Sequence, residues 1–320
     1  MSSLYSKVAV LGCGLIGSSV LRAAKDAGLA ERYAAYDASE AVRARVRELG
    51  FADTVAETAT DAVAGADLVL IATPPASIGP LAGKIADHLA VGATLTDVGS
   101  AKQVIAEAFE AAAPAHVFSI PGHPVAGTEQ SGPDAGFATL FKDRFTLLCP
   151  QERSDAPYLA AVEKLSAFWA GMGAKVELMD ARHHDLVLAV TSHLPHLIAY
   201  NIVGTAADLE QVTESEVMKF SAGGFRDFTR IAASDPVMWR DVFLLNKDAV
   251  LEILGRFTED LQALSRAIRW GDGDKLQELF TRTRAIRRGI IDAGQETAEP
   301  DFGRHHGVAP EPGAPDKPGR

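Results

Sequence analysis

Strand and helix patterns alternate over the first 180 residues, and only helical patterns follow. This predicts an α/β domain with a mostly parallel sheet, joined to an all-α domain. Three observations carry the prediction. Compact apolar runs of strand length recur between helical stretches. A Gly-x-Gly-x-x-Gly sequence, Gly12 to Gly17, lies where the first strand meets the first helix. From Asp180 onward no strand pattern returns.

The strand candidates are Lys7–Leu11, Arg32–Tyr36, Asp67–Thr73, Thr94–Val98, Val117–Ile120, Phe145–Cys149 and Lys175–Met179. Most are uninterrupted apolar runs, the pattern of strands covered on both faces. Between them, Ala38–Leu49 and Lys102–Ala113 carry helical spacing. Strand–helix alternation implies right-handed crossovers and a parallel sheet. Ala181–Ala206, Asp208–Lys219, Gly223–Ala233, Pro236–Trp270 and Asp274–Ala293 all read as helices. The long Ala181–Ala206 and Pro236–Trp270 segments are apolar around much of their circumference, so they are expected to be buried within the domain or against a second subunit. The domains are expected at 1–180 and 181–295. The tail at 296–320, rich in Pro, Gly and charge, is expected to be disordered, with no regulatory module after the helices.

The chain has 320 residues, room for about two domains. Its net charge of −11 argues against nucleic-acid backbones as partners, since these need a basic footprint. It leaves an anionic small molecule open, because a local pocket can oppose the global sign. Cys13 and Cys149 fall in no ligand spacing, which points to a reduced, cytoplasmic protein. The apolar run Val8–Val20 is interrupted by Gly12, Gly14 and Gly17, so it reads as a strand and helix start and not as an export signal. No apolar run reaches the ~20 residues of a membrane span.

Val8-Ala9-Val10-Leu11 leads into Gly12-Cys13-Gly14-Leu15-Ile16-Gly17, which opens a helix. Gly12 allows the tight turn and Gly14 lets the backbone approach a pyrophosphate. Gly17 permits close helix–strand packing, and the N-terminus at Leu15 and Ile16 faces the anion. Asp37 follows Gly17 by twenty positions, at the end of the next strand. A carboxylate there accepts both ribose hydroxyls of NAD and repels the 2′-phosphate of NADP. The reading is therefore a Rossmann-like domain holding NAD. Arg43 and Arg45 fall too far into the following helix to suggest a phosphate site.

Ligands of such sheets bind at the carboxyl ends of the strands. Thr73-Pro74-Pro75, Asp97-Val98-Gly99-Ser100 and Gly122-His123-Pro124 all arrive at that edge. Thr73 and Pro74 join the cofactor-binding candidates, although the prolines also suit a plain helix entry. Ser100 with Gln103 makes a capping box, and a capping hydroxyl can still face a nicotinamide. His123 lies in a glycine-flanked loop, and with an unperturbed pKa of ~6.5 it can move a proton during hydride transfer. A turn histidine held by its own backbone is the plainer alternative.

A second constellation lies in the first long helix, at Thr191-Ser192-His193-Leu194-Pro195-His196, where Pro195 should kink the helix. Ser192 and His196 share a face, four residues apart. Hydrogen-bonded core histidines would look the same. His183, His184, His193 and His196 lack cysteine or glutamate at a familiar ligand spacing, so no metal is expected. Arg226 and Arg230 share a helical face and suit a carboxylate, or else surface ion pairs. Asp235-Pro236, ahead of Trp239, reads as an N-cap and first turn.

Taken in order, GCGLIGSS, DVGSAK, GHPVAGTEQSG, TSHLPH, GGFRDFTRIA and SDPVMWRD resemble the prephenate/arogenate (cyclohexadienyl) dehydrogenase family of tyrosine biosynthesis, from Lys7 to about Ala293. The resemblance implies a nucleotide-binding domain with a helical dimerisation domain, and a homodimer. It implies oxidative decarboxylation of a cyclohexadienol with NAD. His123 matches the family's catalytic histidine, and Ser100 a serine orienting the ring hydroxyl and nicotinamide. Arg230 matches an arginine gripping a substrate carboxylate. His196 with Ser192 matches recognition at the far end, and Trp239 shapes the pocket. The motifs do not separate prephenate from arogenate. A β-hydroxyacid or 6-phosphogluconate-type dehydrogenase would want a lysine in the substrate helix, and Ala181–Ala206 has none. A non-catalytic NAD-binding dimer would not need these side chains to converge.

Overall fold

The computed structural model describes residues 3–128, 130–210 and 223–292. Tyr5–Leu11 (β1), Ala30–Tyr36 (β2), Thr54–Val55 (β3), Leu68–Ile71 (β4), Thr94–Asp97 (β5) and Phe118–Ser119 (β6) form one sheet in the order β3-β2-β1-β4-β5-β6. Every pairing in it is parallel. This is the strand order of a dinucleotide-binding sheet, whose ligand crevice opens where the order reverses, at β1 and β4.

Strand alternation explains why the central strands are apolar throughout. Val8, Val10, Leu68 and Leu70 face one core, with residues of Leu15–Asp26 (α1), Glu40–Leu49 (α2) and Ala156–Gly171 (α6). Ala9, Leu11, Val69 and Ile71 face the other, with Ala59–Val63 (α3), Pro75–Ile85 (α4) and Gln103–Ala112 (α5). Side-chain oxygens cap the helix starts in sequence: Ser39 on α2, Thr58 on α3 and Asp155 on α6.

The sheet is not continuous to the end of the domain. Gly122–Pro124 (β7), Phe145–Leu148 (β8) and Lys175–Leu178 (β9) make a separate three-stranded sheet, β7 antiparallel to β8 and β8 parallel to β9. The first sheet ends at β6, just before Pro121, which has no N–H to extend the ladder. Its carbonyl instead accepts the Cys149 N–H at 2.8 Å, at the start of the second sheet. His123 therefore sits on a strand opposite Leu147, not in the loop expected from its glycines.

Helices follow from Asp180, whose carboxylate caps Ala181–Leu188 (α7). A wide π-helical turn, Ala189–His193, joins α7 to Leu194–Glu210 (α8). The irregularity expected at Pro195 takes the form of a widened turn just before it. The missing N–H and the ring's clash with the preceding turn are absorbed by i→i+5 bonding, in which Leu194 N–H reaches Ala189. α8 runs unbroken past Ala206, and the remainder of the helix expected to Lys219 lies outside the described residues from 211. Gly223–Thr229 (α9) ends in a 3-10 turn, Arg230–Ala233. The expected helix Pro236–Trp270 is two helices, Pro236–Leu245 (α10) and Lys247–Arg269 (α11), broken at buried Asn246. Gly273–Asp292 (α12) completes the array, and the tail expected to be disordered lies outside the described residues.

By length and composition, Ala181–Leu209 is apolar enough to cross a membrane, contrary to the sequence expectation, because α7, the π turn and α8 join into one rod. Only 28% of its most apolar window is buried within the chain. Leu244, Leu251, Ile268, Trp270 and Phe280 on the later helices are likewise exposed.

Candidate active site

The crevice at β1 and β4 is built for close approach of a ligand backbone. Gly12 holds φ +100°, and a Cβ there would lie 2.5 Å from the Ala72 carbonyl oxygen after β4. A Cβ on Gly17 would lie 1.9 Å from the Gly12 oxygen, so the helix can seat on the loop only with glycine there. A Cβ on Gly14 would meet nothing within 4 Å, which leaves open space above the loop. α1 begins at Leu15 with no side chain capping it. Asp37 faces this loop from the end of β2. Its Oδ2 accepts the Cys13 N–H and its Oδ1 the Ser39 N–H, both at 2.9 Å. Each oxygen keeps a lone pair for a ribose hydroxyl. Thr73 Oγ1 is buried beside the loop without a hydrogen-bond partner among the described residues, and Pro74 is exposed at the entry to α4. These residues fit a dinucleotide pyrophosphate and ribose.

Arg43 lies nearer this site than its place in α2 suggests. Its guanidinium folds back onto the Asp37 and Ala38 carbonyls at 2.9 and 3.2 Å and pairs with Glu57. Arg45 pairs with Asp134 and Glu48. The terminal nitrogens of Arg43 and the guanidinium of Arg45 are thus engaged within the protein, while Arg43 Nε is buried with no partner among the described residues.

At the carboxyl edge of β5 the chain places Ser100, half-buried, with no partner for its hydroxyl among the described residues. The capping box expected here does not form. α5 starts at Gln103, and the N–H groups of Lys102 and Gln103 go instead to the two oxygens of Asp185, at 2.7 and 2.9 Å. A carboxylate is the stronger acceptor at a helix N-terminus. That cap comes from α7, so it ties the helical half to the sheet half. Lys102 and Asp97 form a fully buried ion pair, and Lys102 Nζ also donates to the Gly122 carbonyl at 2.8 Å. Asp97 Oδ1 accepts the Gly122 N–H at 3.1 Å. The residue before His123 is thereby held at both its backbone groups.

His123 is buried, 7% exposed, and its Nδ1 lies 2.8 Å from His184 Nε2. His184 Nδ1 lies 2.8 Å from Asp185 Oδ1. Burial, reinforced by His184, Lys102 and His193, holds the His123 imidazole well below the ordinary histidine range, so it is neutral near pH 7. Its Nε2 has no hydrogen-bond partner among the described residues. His193 is buried beside it, down to about 4 through burial. Asn246 Nδ2 donates to the Asp185 carbonyl at 2.8 Å and lies 3.0 Å from His193 Nδ1. Asn246 interrupts the α10–α11 rod to make these two contacts.

Trp239 joins the remaining candidates. His196 stacks on its ring at 3.6 Å, and His193 meets it edge-on at 6.1 Å. His196 Nδ1 donates to the Ser192 carbonyl at 2.9 Å, which leaves Nε2 as an acceptor. Burial, and secondarily the Arg230 guanidinium, lower the His196 pKa. Arg230 is exposed in the single chain and has no ion pair among the described residues. It sits in the 3-10 turn that Tyr200 Oη anchors through the Ser234 carbonyl, at 2.8 Å. Arg226, expected on the same face, is exposed and leans on Asp227 at 3.5 Å. His183 is exposed, away from the buried histidines.

The structure thus gathers His123, His193, His196, Trp239 and Arg230 between the two halves, with Ser100 at the sheet edge. Sequence reasoning missed Asp185 and Asn246, and weighed His184 only as a metal ligand. The only signal was polar residues inside otherwise apolar helical patterns. Asp97 and Lys102 were visible as parts of the DVGSAK motif, but without a role.

Residues 20–178 match the prephenate dehydrogenase nucleotide-binding domain family, and residues 180–282 match the prephenate dehydrogenase dimerization domain family. The cyclohexadienyl dehydrogenase of Zymomonas mobilis is 41% identical over 89% of this chain and 96% of its own. The prephenate dehydrogenase of Bacillus subtilis is 32% identical over 91% of this chain and 77% of its own. Among solved structures, a prephenate dehydrogenase from A. aeolicus, in complex with hydroxyphenyl propionate and NAD+, superposes with a TM-score of 0.82. It is 31% identical over 91% of this chain and 99% of that one.

Proposed function

Since this chain belongs to the prephenate dehydrogenase family, we propose that it catalyses the NAD-dependent oxidative decarboxylation of prephenate, arogenate or both, in tyrosine biosynthesis. The single observation that carries this reading is the buried His123, whose Nε2 has no hydrogen-bond partner among the described residues and whose neighbours His193 and His196 pack on Trp239. Bound NAD supplies the hydride acceptor: the carbon bearing the ring hydroxyl gives up its hydride, the ring carboxylate leaves as carbon dioxide, and the ring becomes aromatic.

The residues divide the remaining work. Gly12, Gly14, Leu15, Ile16 and Gly17 hold the pyrophosphate, and Asp37 takes the ribose hydroxyls, with Thr73 and Pro74 at the entry. Asp37 favours NAD over NADP through repulsion of a 2′-phosphate. His123 Nε2 takes the proton of the ring hydroxyl as its oxygen becomes a carbonyl, a contribution of ~10²–10⁴ in rate. The Ser100 hydroxyl orients that oxygen. Arg230 grips a substrate carboxylate, while His196 and Ser192 meet the side chain against Trp239. The exposed apolar helices are covered in a homodimer. The two buried free cysteines suit a reducing, cytoplasmic compartment.

The deciding experiment follows NADH formation by the purified chain from prephenate and from arogenate, with NAD and with NADP. The expected result is turnover of at least one dienol with NAD. In His123→Asn, kcat falls at least about a hundredfold while NAD still binds. Turnover of a phosphogluconate or hydroxyisobutyrate, with neither dienol oxidised, would overturn the reading.

A further inference from the structure

The buried groups behind His123 form a directed chain. Asp185 Oδ1 accepts the Lys102 N–H at 2.7 Å and stands 2.8 Å from His184 Nδ1. A carboxylate oxygen already accepting a backbone N–H takes a second donor, so the proton of this contact belongs to His184 Nδ1. Burial lowers the pKa of His184 and keeps it neutral, so its Nε2 carries a lone pair. The 2.8 Å contact to His123 then requires the proton on His123 Nδ1. The lone pair of His123 is left on Nε2, the nitrogen of its ring with no partner among the described residues.

We propose that His184 and Asp185 are positioning residues for the catalytic histidine: together they select the Nδ1–H tautomer of His123 and fix its ring so that Nε2 is the base. The inference rests on the reading of His123 as the base, and it adds how that base is made competent. Asp185 sets the direction because its other partners are fixed. Gln103 N–H takes Oδ2, and Asn246 holds its backbone carbonyl. The same carboxylate caps α5, the helix that follows Ser100. The base is therefore oriented from the junction of the two halves.

His184 is the better residue to vary, since changing Asp185 also uncaps α5. His184→Leu removes the acceptor. His184→Gln restores it, because the amide oxygen accepts from His123 and the amide NH₂ donates to Asp185. With prephenate, arogenate and NAD as probes, kcat in His184→Leu is expected to fall about ten- to a hundredfold with KM within about twofold. In His184→Gln it should stay within about threefold of the parent. In parallel, ¹⁵N NMR of the imidazoles in the full-length chain, without substrate, is expected to show one His123 tautomer, Nδ1–H. In His184→Leu it should show a mixture. A Leu variant with parental kcat and an unchanged His123 tautomer overturns the proposal, as does a parental spectrum showing Nε2–H. Loss of fold in the Leu variant leaves the parental tautomer and the Gln variant to decide. If the parent oxidises neither dienol, the proposed function fails while the NMR result still judges the tautomer.

Discussion

The chemistry at residue scale turns on two opposite electrostatic settings a short distance apart. His123, His184 and His193 are buried and neutral, so each presents a defined pattern of donor and acceptor. Arg230 is exposed and has no ion pair among the described residues, and the proposed function sets a substrate carboxylate against it. Because such a grip is present in ground and transition states alike, Arg230→Ala is expected to raise KM for the dienol at least about tenfold with kcat within about threefold. Steady-state kinetics with varied substrate checks this, and an unchanged KM removes Arg230 from the site. His123 was legible as a polar residue in a rigid motif. Its partner His184 was not, since nothing along the chain links positions sixty-one residues apart.

At the scale of elements, the nucleotide crevice depends on the fit of α1 against β1. The glycine spacing announced this fit, and the contact with the Gly12 carbonyl explains it. A methyl group at position 17 forces the helix away from the loop. Gly17→Ala is expected to weaken NAD binding at least about tenfold, measured by fluorescence titration, with thermal unfolding showing that the chain still folds. The helical elements were less legible. The helical pattern from Pro236 to Trp270 gave no sign of a break, because Asn246 is one polar residue among several there. Only its bonds to Asp185 and His193 justify leaving the helix. The Ser100 capping box failed for the same kind of reason: a distant carboxylate supplied a better acceptor than the local hydroxyl.

For the whole molecule, the helical half exposes apolar side chains on several elements, and its rod Ala181–Leu209 is largely uncovered within one chain. A second copy covering these faces accounts for both facts, so sedimentation should give twice the chain mass; a monomer at micromolar concentration would refute this. The buried histidines also make stability depend on pH. A histidine whose folded pKa is lowered stabilises the fold above its unfolded pKa of ~6.5, and that stability is lost as pH falls toward the folded value. His193, at about 4, and its neighbours His123, His184 and His196 all act in this direction. The thermal midpoint is expected to hold from pH 8 to 7 and fall steadily from about 6.5 to 4. A midpoint that is flat over this range would show that the cluster is solvated.

The chain order of apolar runs, glycines and caps determines by itself the parallel sheet, the switch to helices near Asp180 and the nucleotide crevice, because periodicity and glycine spacing are written along the chain even where the contacts they serve are distant. Tertiary structure alone decides that the second sheet separates at Pro121, that Asp185 caps a helix of the other half, and that His123 has a partner for Nδ1. These depend on which buried polar groups meet when two halves close, since a buried polar group is costly unpaired and most take a partner wherever the fold brings one.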